Sequence, residues 1–422
     1  MDIFNKCKTD QGYFGKLRAA GDNYFTMPVL DDKPGRVMEY GGEKKLMWSV
    51  NNYLGLADSE EIRKSALDTL QEWSVSAPMG SRMMSGNTSE HIELEQQLAE
   101  FAQKEASILF NYGYLGVLGT ISSLAEQDDM IIMDKLAHAS IVDGVLLSRA
   151  PFRVFKHNDM ESLEIVLKRV NKERKGGVLI VIEGTYGMTG DLAKLKEICE
   201  LKEKYDARLF IDDAHGFGVM GEHGRGAPDY FGVQDKVDIY FGTFAKSFAS
   251  IGGFSAAPKD VIQWIRYNAR TQVFAKSLPM VYVKSLQKGF ELVKNGDDRR
   301  AHMWKISNAL KDGLSDLGYY IGKGESPICA VFAPIGSEQV ETVGARLVGY
   351  LRDEKNIFTT AVIYPVIPLG LLMFRIIPTT AHTEEDVETT VKAFKEMRDE
   401  MKLDLKMDEK DRKNVDKIYG IR

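Results

Sequence analysis

Cysteine is scarce: Cys7, Cys199 and Cys329 are the only three in 422 residues, and they lie far apart. That excludes a disulfide framework, and no pair has metal-ligand spacing. A reduced, intracellular setting is the simplest reading, with Cys199, in a helix-like run, read as core. No block of one charge sign is present either. The 55 basic and 61 acidic residues are mixed along the chain, for a net charge of −6 and a pI near 5.8. Nucleic acid is thereby excluded as the main partner, since phosphate binding needs a concentrated positive surface. Long apolar runs are missing too: Val178 to Ile182 and Val362 to Phe374 are too short, or too interrupted by Pro and Gly, to span a bilayer. The opening Met1-Asp2-Ile3-Phe4-Asn5-Lys6 carries charge with no apolar block behind it, so no targeting signal is expected. No internal repeat is visible. These absences predict a soluble cytoplasmic protein with no transmembrane segment, still able to take a lipid-like substrate at the membrane surface.

What is present is a chain 44% hydrophobic, enough for a large core in one major domain with smaller attachments. Its middle alternates apolar strands with amphipathic helices. Ala106 to Phe110, Met130 to Met133, Val178 to Glu183, Ala207 to Asp212 and Val237 to Phe241 read as buried strands, with helical spacing over Leu163 to Arg174 and Lys194 to Tyr205. Strand–helix–strand repetition predicts an α/β fold with a mostly parallel central sheet and helices on both faces. From about residue 297 the texture changes to a smaller α+β domain, with helical runs at Ala301 to Leu317, Ser337 to Glu354 and Glu384 to Met401. The division expected is an N-terminal arm over 1–60, a large domain over 61–296, a small domain over 297–402 and a charged tail over 403–422. Within the arm, Asp22 to Asp31 reads as extended and Asn51 to Leu56 as a turn leaving a strand. The tail reads as a solvated helix or frayed end.

Two residues carry the chemistry. Asp212 ends a predicted strand in Leu209-Phe210-Ile211-Asp212, and Lys246 follows 34 residues later in Gly242-Thr243-Phe244-Ala245-Lys246-Ser247. Ligands of such sheets sit beyond the carboxyl ends of the strands, where both fall. A lysine after a strand is by itself most often a solvated charge; paired with a buried acid it suits pyridoxal phosphate. The lysine holds the aldehyde as a Schiff base, and the acid keeps the ring nitrogen protonated. Asn111-Tyr112-Gly113-Tyr114 leaves a strand and opens a helix, where backbone N–H groups can approach a phosphate. His138, just past another strand, is placed to stack on a ring, although such a histidine alone is more often structural. Asp212 and His215 are close enough to share one small ring.

Together these segments resemble the α-oxoamine synthases, pyridoxal-phosphate enzymes of fold type I, over roughly residues 45 to 400. The resemblance is carried by Asn51 to Leu56, Gly80 to Thr88, Leu136 to Ser140, Asp212 to Gly216, Gly242 to Ser247 and Phe374 to Thr379, all in order. It implies an aspartate-aminotransferase-like fold and a role for each matching residue. Lys246 carries the cofactor and moves the Cα proton; Asp212 pairs with the pyridine nitrogen; His215 bonds the ring oxygen; His138 stacks. Gly113, Tyr114 and Thr243 hold the phosphate. Arg375 and Asn51 anchor the substrate carboxylate, a group matched by the planar fork of arginine. Ser277 reaches the phosphate of a neighbouring protomer, which implies a homodimer with shared sites. The reaction implied is decarboxylative condensation of an amino acid with an acyl thioester, carried on coenzyme A or on an acyl carrier protein.

Three positions depart from the commoner family pattern. Glu183 stands where Asp is usual, Gly187 where Ser is usual, and Lys276 where a small or hydroxyl residue is usual. Lys276 is either an exposed charge or a second cation near the phosphate or the substrate side chain. The latter, with Ala77 to Thr88, favours cysteate as the amino acid, then serine, and so a place in sulfonolipid or sphingolipid synthesis. Glycine C-acetyltransferase and 8-amino-7-oxononanoate synthase are the alternatives within the family. An aminotransferase is more remote, and a non-catalytic partner subunit conflicts with the retained Lys246. The run Tyr364 to Met373 with Met83-Met84 reads either as a long-chain channel or, more often for such runs, as plain core.

Overall fold

The computed structural model describes residues 2–8, 15, 28–336, 340–363 and 366–420. Its centre is a sheet of seven strands: β1 (Ala106–Phe110), β2 (Met130–Asp134), β3 (Phe152–Phe155), β4 (Val178–Glu183), β5 (Arg208–Asp212), β6 (Ile239–Thr243) and β7 (Gly253–Ala257). In space they run β1-β7-β6-β5-β4-β2-β3. From β6 to β3 every pair is parallel, while β7 is antiparallel to both its neighbours.

Alternate strand residues divide between two cores, one on each face of the sheet. Ile132, Ile180, Ile182, Leu209 and Ile211 pack with Leu163, Leu167 and Val170 of α3 (Met160–Glu173) and with Leu195 and Ile198 of α4 (Leu195–Lys204). Ile131, Val181 and Phe210 point the other way, against Val117 and Ile121 of α1 (Gly113–Leu124) and Ile141 and Val145 of α2 (Ala139–Ser148). A strand buried on both sides reads as a continuous apolar run, and this is why β4 was legible at its full length. The family's fold, a mostly parallel sheet covered on both faces with a smaller C-terminal domain, is what this chain adopts.

Two strands escaped the sequence reading. Gly253-Phe254-Ser255-Ala256-Ala257 has no β-branched residue, and the short edge strand Phe152 to Phe155 carries a central arginine. Helix ends shifted for local reasons. α3 starts ahead of Leu163 because the Asp159 side chain accepts the Ser162 N–H at 2.9 Å and caps it. The run expected as one helix over Ser337 to Glu354 is a helix over Val340–Gly349 followed by a π-turn over Tyr350–Glu354; Ser337 lies outside the described residues, as do 22–27 of the extended segment.

A second sheet pairs β8 (Cys329–Pro334) with β9 (Leu371–Ile376) and packs on α5 (Asp297–Asp316) and α6 (Glu384–Glu400). Thr383 and Asp386 form a reciprocal capping box that sets the start of α6. The hairpin of Val37–Tyr40 and Glu43–Met47 adds Ile357–Phe358 in parallel, and Trp48 is buried in the small domain's core. Leu371, Leu372 and Met373 are core of this sheet, Val366, Ile367 and Pro368 of the same run line a cavity, and Met83 and Met84 are exposed; Tyr364 and Pro365 lie outside the described residues. The tail is not a solvated helix. α7 (Glu409–Ile418) buries Val415, Ile418 and the following Tyr419 against Phe332, because its few apolar residues share one side of an otherwise charged helix. Among the described residues no helix is long and apolar enough to cross a membrane.

Candidate active site

Parallel strands deliver their last residues to one rim, and the candidate residues collect there. Asp212 ends β5 and is buried, with Glu183, the last residue of β4, as its register partner. Two carboxyls side by side in a dry place cannot both ionise freely. Burial, then the charge of Asp212, pushes Glu183 up to about 8. Burial raises Asp212 as well, with Lys246 and His138 opposing it only in part. Glu183, pushed to about 8, is the carboxyl that holds a proton at neutral pH, which leaves Asp212 as the anion of the pair. Lys246 lies three residues past Thr243, the end of β6. Loss of water lowers its amine to about 8, against the opposing pull of Asp212.

His138 caps α2, its Nδ1 2.8 Å from Ser140 Oγ, and its ring is exposed toward the rim. Burial lowers its pKa, and Asp212 and Lys246 are both within electrostatic reach. The Tyr114 ring meets it edge-on with centroids 6.2 Å apart, while the Tyr114 hydroxyl donates to Asp143. His215 is held neutral, well below its ordinary value, by burial and by the Lys246 and Arg375 charges. Its Nδ1 lies 2.9 Å from the hydroxyl of Tyr53, a fully buried residue whose own pKa burial lifts to about 12. Arg375, on β9, donates from Nε to the Gly187 carbonyl at 2.6 Å and from a terminal nitrogen to Asn51 Oδ1 at 3.2 Å. The two expected carboxylate anchors thus touch each other across 324 residues.

Thr243 Oγ1 donates to the Gly252 carbonyl at 3.0 Å and stands against Gly113, where an added Cβ would come to 2.6 Å from it. This is a cradle only glycine leaves open, at the first turn of α1, whose free N–H groups suit a phosphate. A Cβ on Gly187 would overlap the His215 ring. The serine hydroxyl usual there is therefore absent for a steric reason.

Two candidates do not join the cluster within the protomer. Ser277 is buried and donates from both N and Oγ to the Gly80 carbonyl, at 2.9 and 3.0 Å. Lys276 is exposed and its ammonium donates to the Ser76 carbonyl at 2.5 Å. Sequence reasoning missed the partnership of Tyr53 with His215. Tyr53 sits inside a quoted motif, but its partner lies 162 residues away and no local pattern links them.

An amine of lowered pKa beside a buried acid, a solvent-accessible imidazole and a glycine-floored turn fit pyridoxal phosphate in donor chemistry. The comparisons agree. The family model for aminotransferase class I and II matches residues 43–394. A cysteate-C-fatty acyltransferase of Capnocytophaga ochracea is 42% identical over 403 residues, covering 95% of both chains. An 8-amino-7-oxononanoate synthase of Thermoanaerobacter pseudethanolicus is 36% identical over 388 residues, covering 92% of this chain and 96% of that one. The solved serine palmitoyltransferase of Sphingomonas wittichii superposes with a TM-score of 0.88 at 31% identity, covering 95% of this chain and 99% of that one. With its rim of Lys246, Asp212, His138 and Arg375 in place, this chain belongs to the class I and II aminotransferase family and, within it, to the α-oxoamine synthases, C-acyltransferases that work with pyridoxal phosphate.

Proposed function

We propose that this enzyme condenses cysteate with a fatty acyl thioester, releasing CO2 and an α-amino ketone, and that it works as a homodimer. The 42% identity to a cysteate-C-fatty acyltransferase over nearly the whole chain carries the choice of amino acid. The long acyl group is supported by a cavity of about 880 Å³ beyond the ends of β2 and β3. Leu136, Val366, Ile367, Pro368 and Ile418 give it an apolar floor that suits a fatty chain, and Lys135, Lys156, Lys413 and Lys417 outnumber Asp159 and Asp416 on its wall, a balance that suits an anionic carrier. The dimer is supported by exposed Met79, Met83, Met84 and Phe274 around the segment that Ser277 pins to Gly80. Ser277 would then reach a phosphate in the partner's site. The unpaired cysteines, two of them buried, support a cytoplasmic setting.

When bound, pyridoxal phosphate supplies an aldehyde that condenses with amines and a ring that takes up electron density. The chain's residues do the rest. With its pKa lowered by burial to about 8, much more of Lys246 is neutral near pH 7 than of an ordinary lysine. It is the base and acid for the amino acid's Cα proton. Asp212 would hold a proton on the ring nitrogen, and a protonated Glu183 beside it leaves Asp212 charged for that task. Tyr53 fixes His215; with its hydroxyl donating to Nδ1, Nε2 keeps the ring's proton for the cofactor's oxygen. His138 stacks, and Gly113, Tyr114 and Thr243 hold the phosphate. Arg375 and Asn51 bind the substrate carboxylate until it leaves as CO2. Lys276 faces solvent in the protomer, where it would meet a sulfonate only in the assembled dimer.

The test is turnover of purified holoprotein with cysteate, serine and glycine, each with one long-chain acyl thioester, reading the amino-ketone by mass. Cysteate is expected to give the largest kcat/KM. Equal or better turnover of glycine would overturn the substrate assignment. The 36% identity to an 8-amino-7-oxononanoate synthase makes that product the second reading, and the same mass assay separates them. A keto acid formed without CO2 would mark an aminotransferase.

A further inference from the structure

His157 follows β3 and is buried at 4% exposure, outside the residues used above. Its Nδ1 lies 2.8 Å from Asp134 Oδ1 and its Nε2 2.9 Å from Asp191 Oδ2, and both carboxylates are buried. The ring of Tyr186 packs edge-on against it at 4.4 Å. Flanked by a carboxylate on each side, the ring is satisfied as an imidazolium donating from both nitrogens.

Each carboxylate has a second task. Asp134 ends β2 and also accepts the N–H of Leu136 at 2.8 Å and of Asn158 at 3.0 Å, which fixes the start of the turn that carries His138. Asp191 closes the loop after β4. It accepts from the Thr189 hydroxyl and from Asn158 Nδ2 at 3.4 Å, while its carbonyl takes the Tyr186 N–H at 2.9 Å. That loop carries Gly187, the acceptor for Arg375. The C-terminal segment covers the cluster: the Tyr419 hydroxyl donates to the Thr189 carbonyl at 3.3 Å, and a side chain on Gly420 would collide with the His157 carbonyl.

We propose that His157 is a positioning residue, a buried cation that clamps the His138 turn to the Gly187 loop and so sets the spacing between the stacking ring and the guanidinium that anchors the amino acid. This rests on the roles of His138 and Arg375 proposed above. Asn158 bridges the same two carboxylates, from its N–H to Asp134 at 3.0 Å and from its side-chain amide to Asp191 at 3.4 Å, but as a neutral group; His157 adds the cation, and the chemistry needs both segments to address one small substrate.

The variants are His157→Gln, which is neutral and replaces two donor nitrogens on opposite sides of a ring by a single amide nitrogen, and Asp191→Asn, which leaves Asp134 intact. The full-length holoprotein is measured by thermal melting, by the circular dichroism of the bound cofactor's visible band, and by KM and kcat for the amino acid. Both variants are expected to keep the cofactor, to show an altered visible dichroism, and to lose roughly ten- to a hundredfold in kcat/KM, as misplacement of a positioned group does. A variant that melts lower but keeps the wild-type dichroism and stays within about twofold in both constants would make His157 merely structural and overturn the proposal. If His157→Gln does not fold, Asp191→Asn decides on the same readouts. A wild-type protein with no visible band would sink the proposed function instead, so the two failures are distinguishable.

Discussion

Arg375 and Asn51, one on a small-domain strand and the other in the turn that leaves the N-terminal hairpin, are joined by a 3.2 Å hydrogen bond. Their partnership, with the Gly187 carbonyl on Nε, fixes the guanidinium plane before any substrate arrives. Arg375→Lys keeps the charge but loses the fork. The amino-acid KM should rise about tenfold or more with the cofactor band unchanged, as checked by steady-state kinetics beside an absorbance spectrum. An unchanged KM would remove Arg375 from carboxylate binding.

Tyr53→Phe deletes the one side-chain partner that His215 Nδ1 has among the described residues. A buried polar atom left unpaired costs about 1–3 kcal/mol. The variant should melt several degrees lower and its cofactor band should shift, because His215, proposed above to address the cofactor's oxygen, is no longer held. Coincident melting curves and spectra for the two proteins would refute the link.

Gly187→Ser looks like a harmless return to the family's commoner residue. Here the added Cβ overlaps the His215 ring. The prediction is a loss of kcat of roughly tenfold or more with a displaced cofactor spectrum, measured against Gly187→Ala, which carries the same Cβ without the hydroxyl. Activity retained in both variants would show that the loop yields without cost.

Stability should depend on pH through His157. Burial opposes its charge, but Asp134 and Asp191 outweigh that and raise the ring to about 10. An unfolded histidine titrates near 6.5. The folded pKa is the higher one, so the contribution is fully present below about 6.5 and is lost as pH rises through 10. Melting temperature should fall across that window, by at most about 1.4 kcal/mol of stability per pH unit, and His157→Gln should flatten the slope. Parallel slopes in the two proteins would contradict this.

How much of this was readable beforehand depended on range. Strands buried on both faces, β2 and β4 above all, announced themselves through unbroken apolar runs, and Asp212 and Lys246 stood out because each comes at or just past the end of a predicted strand. β7 did not, since a glycine–serine–alanine strand is defined by its two neighbours rather than by its own propensity. The same holds within the site. His138, His215 and Arg375 came from motifs, whereas the Tyr53–His215, Arg375–Gly187 and Asp134–His157–Asp191 contacts join distant segments and exist only once the sheet has ordered its strand ends. Glu183 drew notice as a substitution, but its altered protonation follows from the register that sets it beside Asp212.

The place of α7 has a consequence for how the enzyme comes into being. A chain emerges from the ribosome N-terminus first, and its domains fold as they appear. The tyrosine and glycine that roof the His157 cluster, at 419 and 420, are synthesised after every other element of the site. Until those two residues have left the ribosome, the His157 cluster lacks its cover, whatever the rest of the fold has reached.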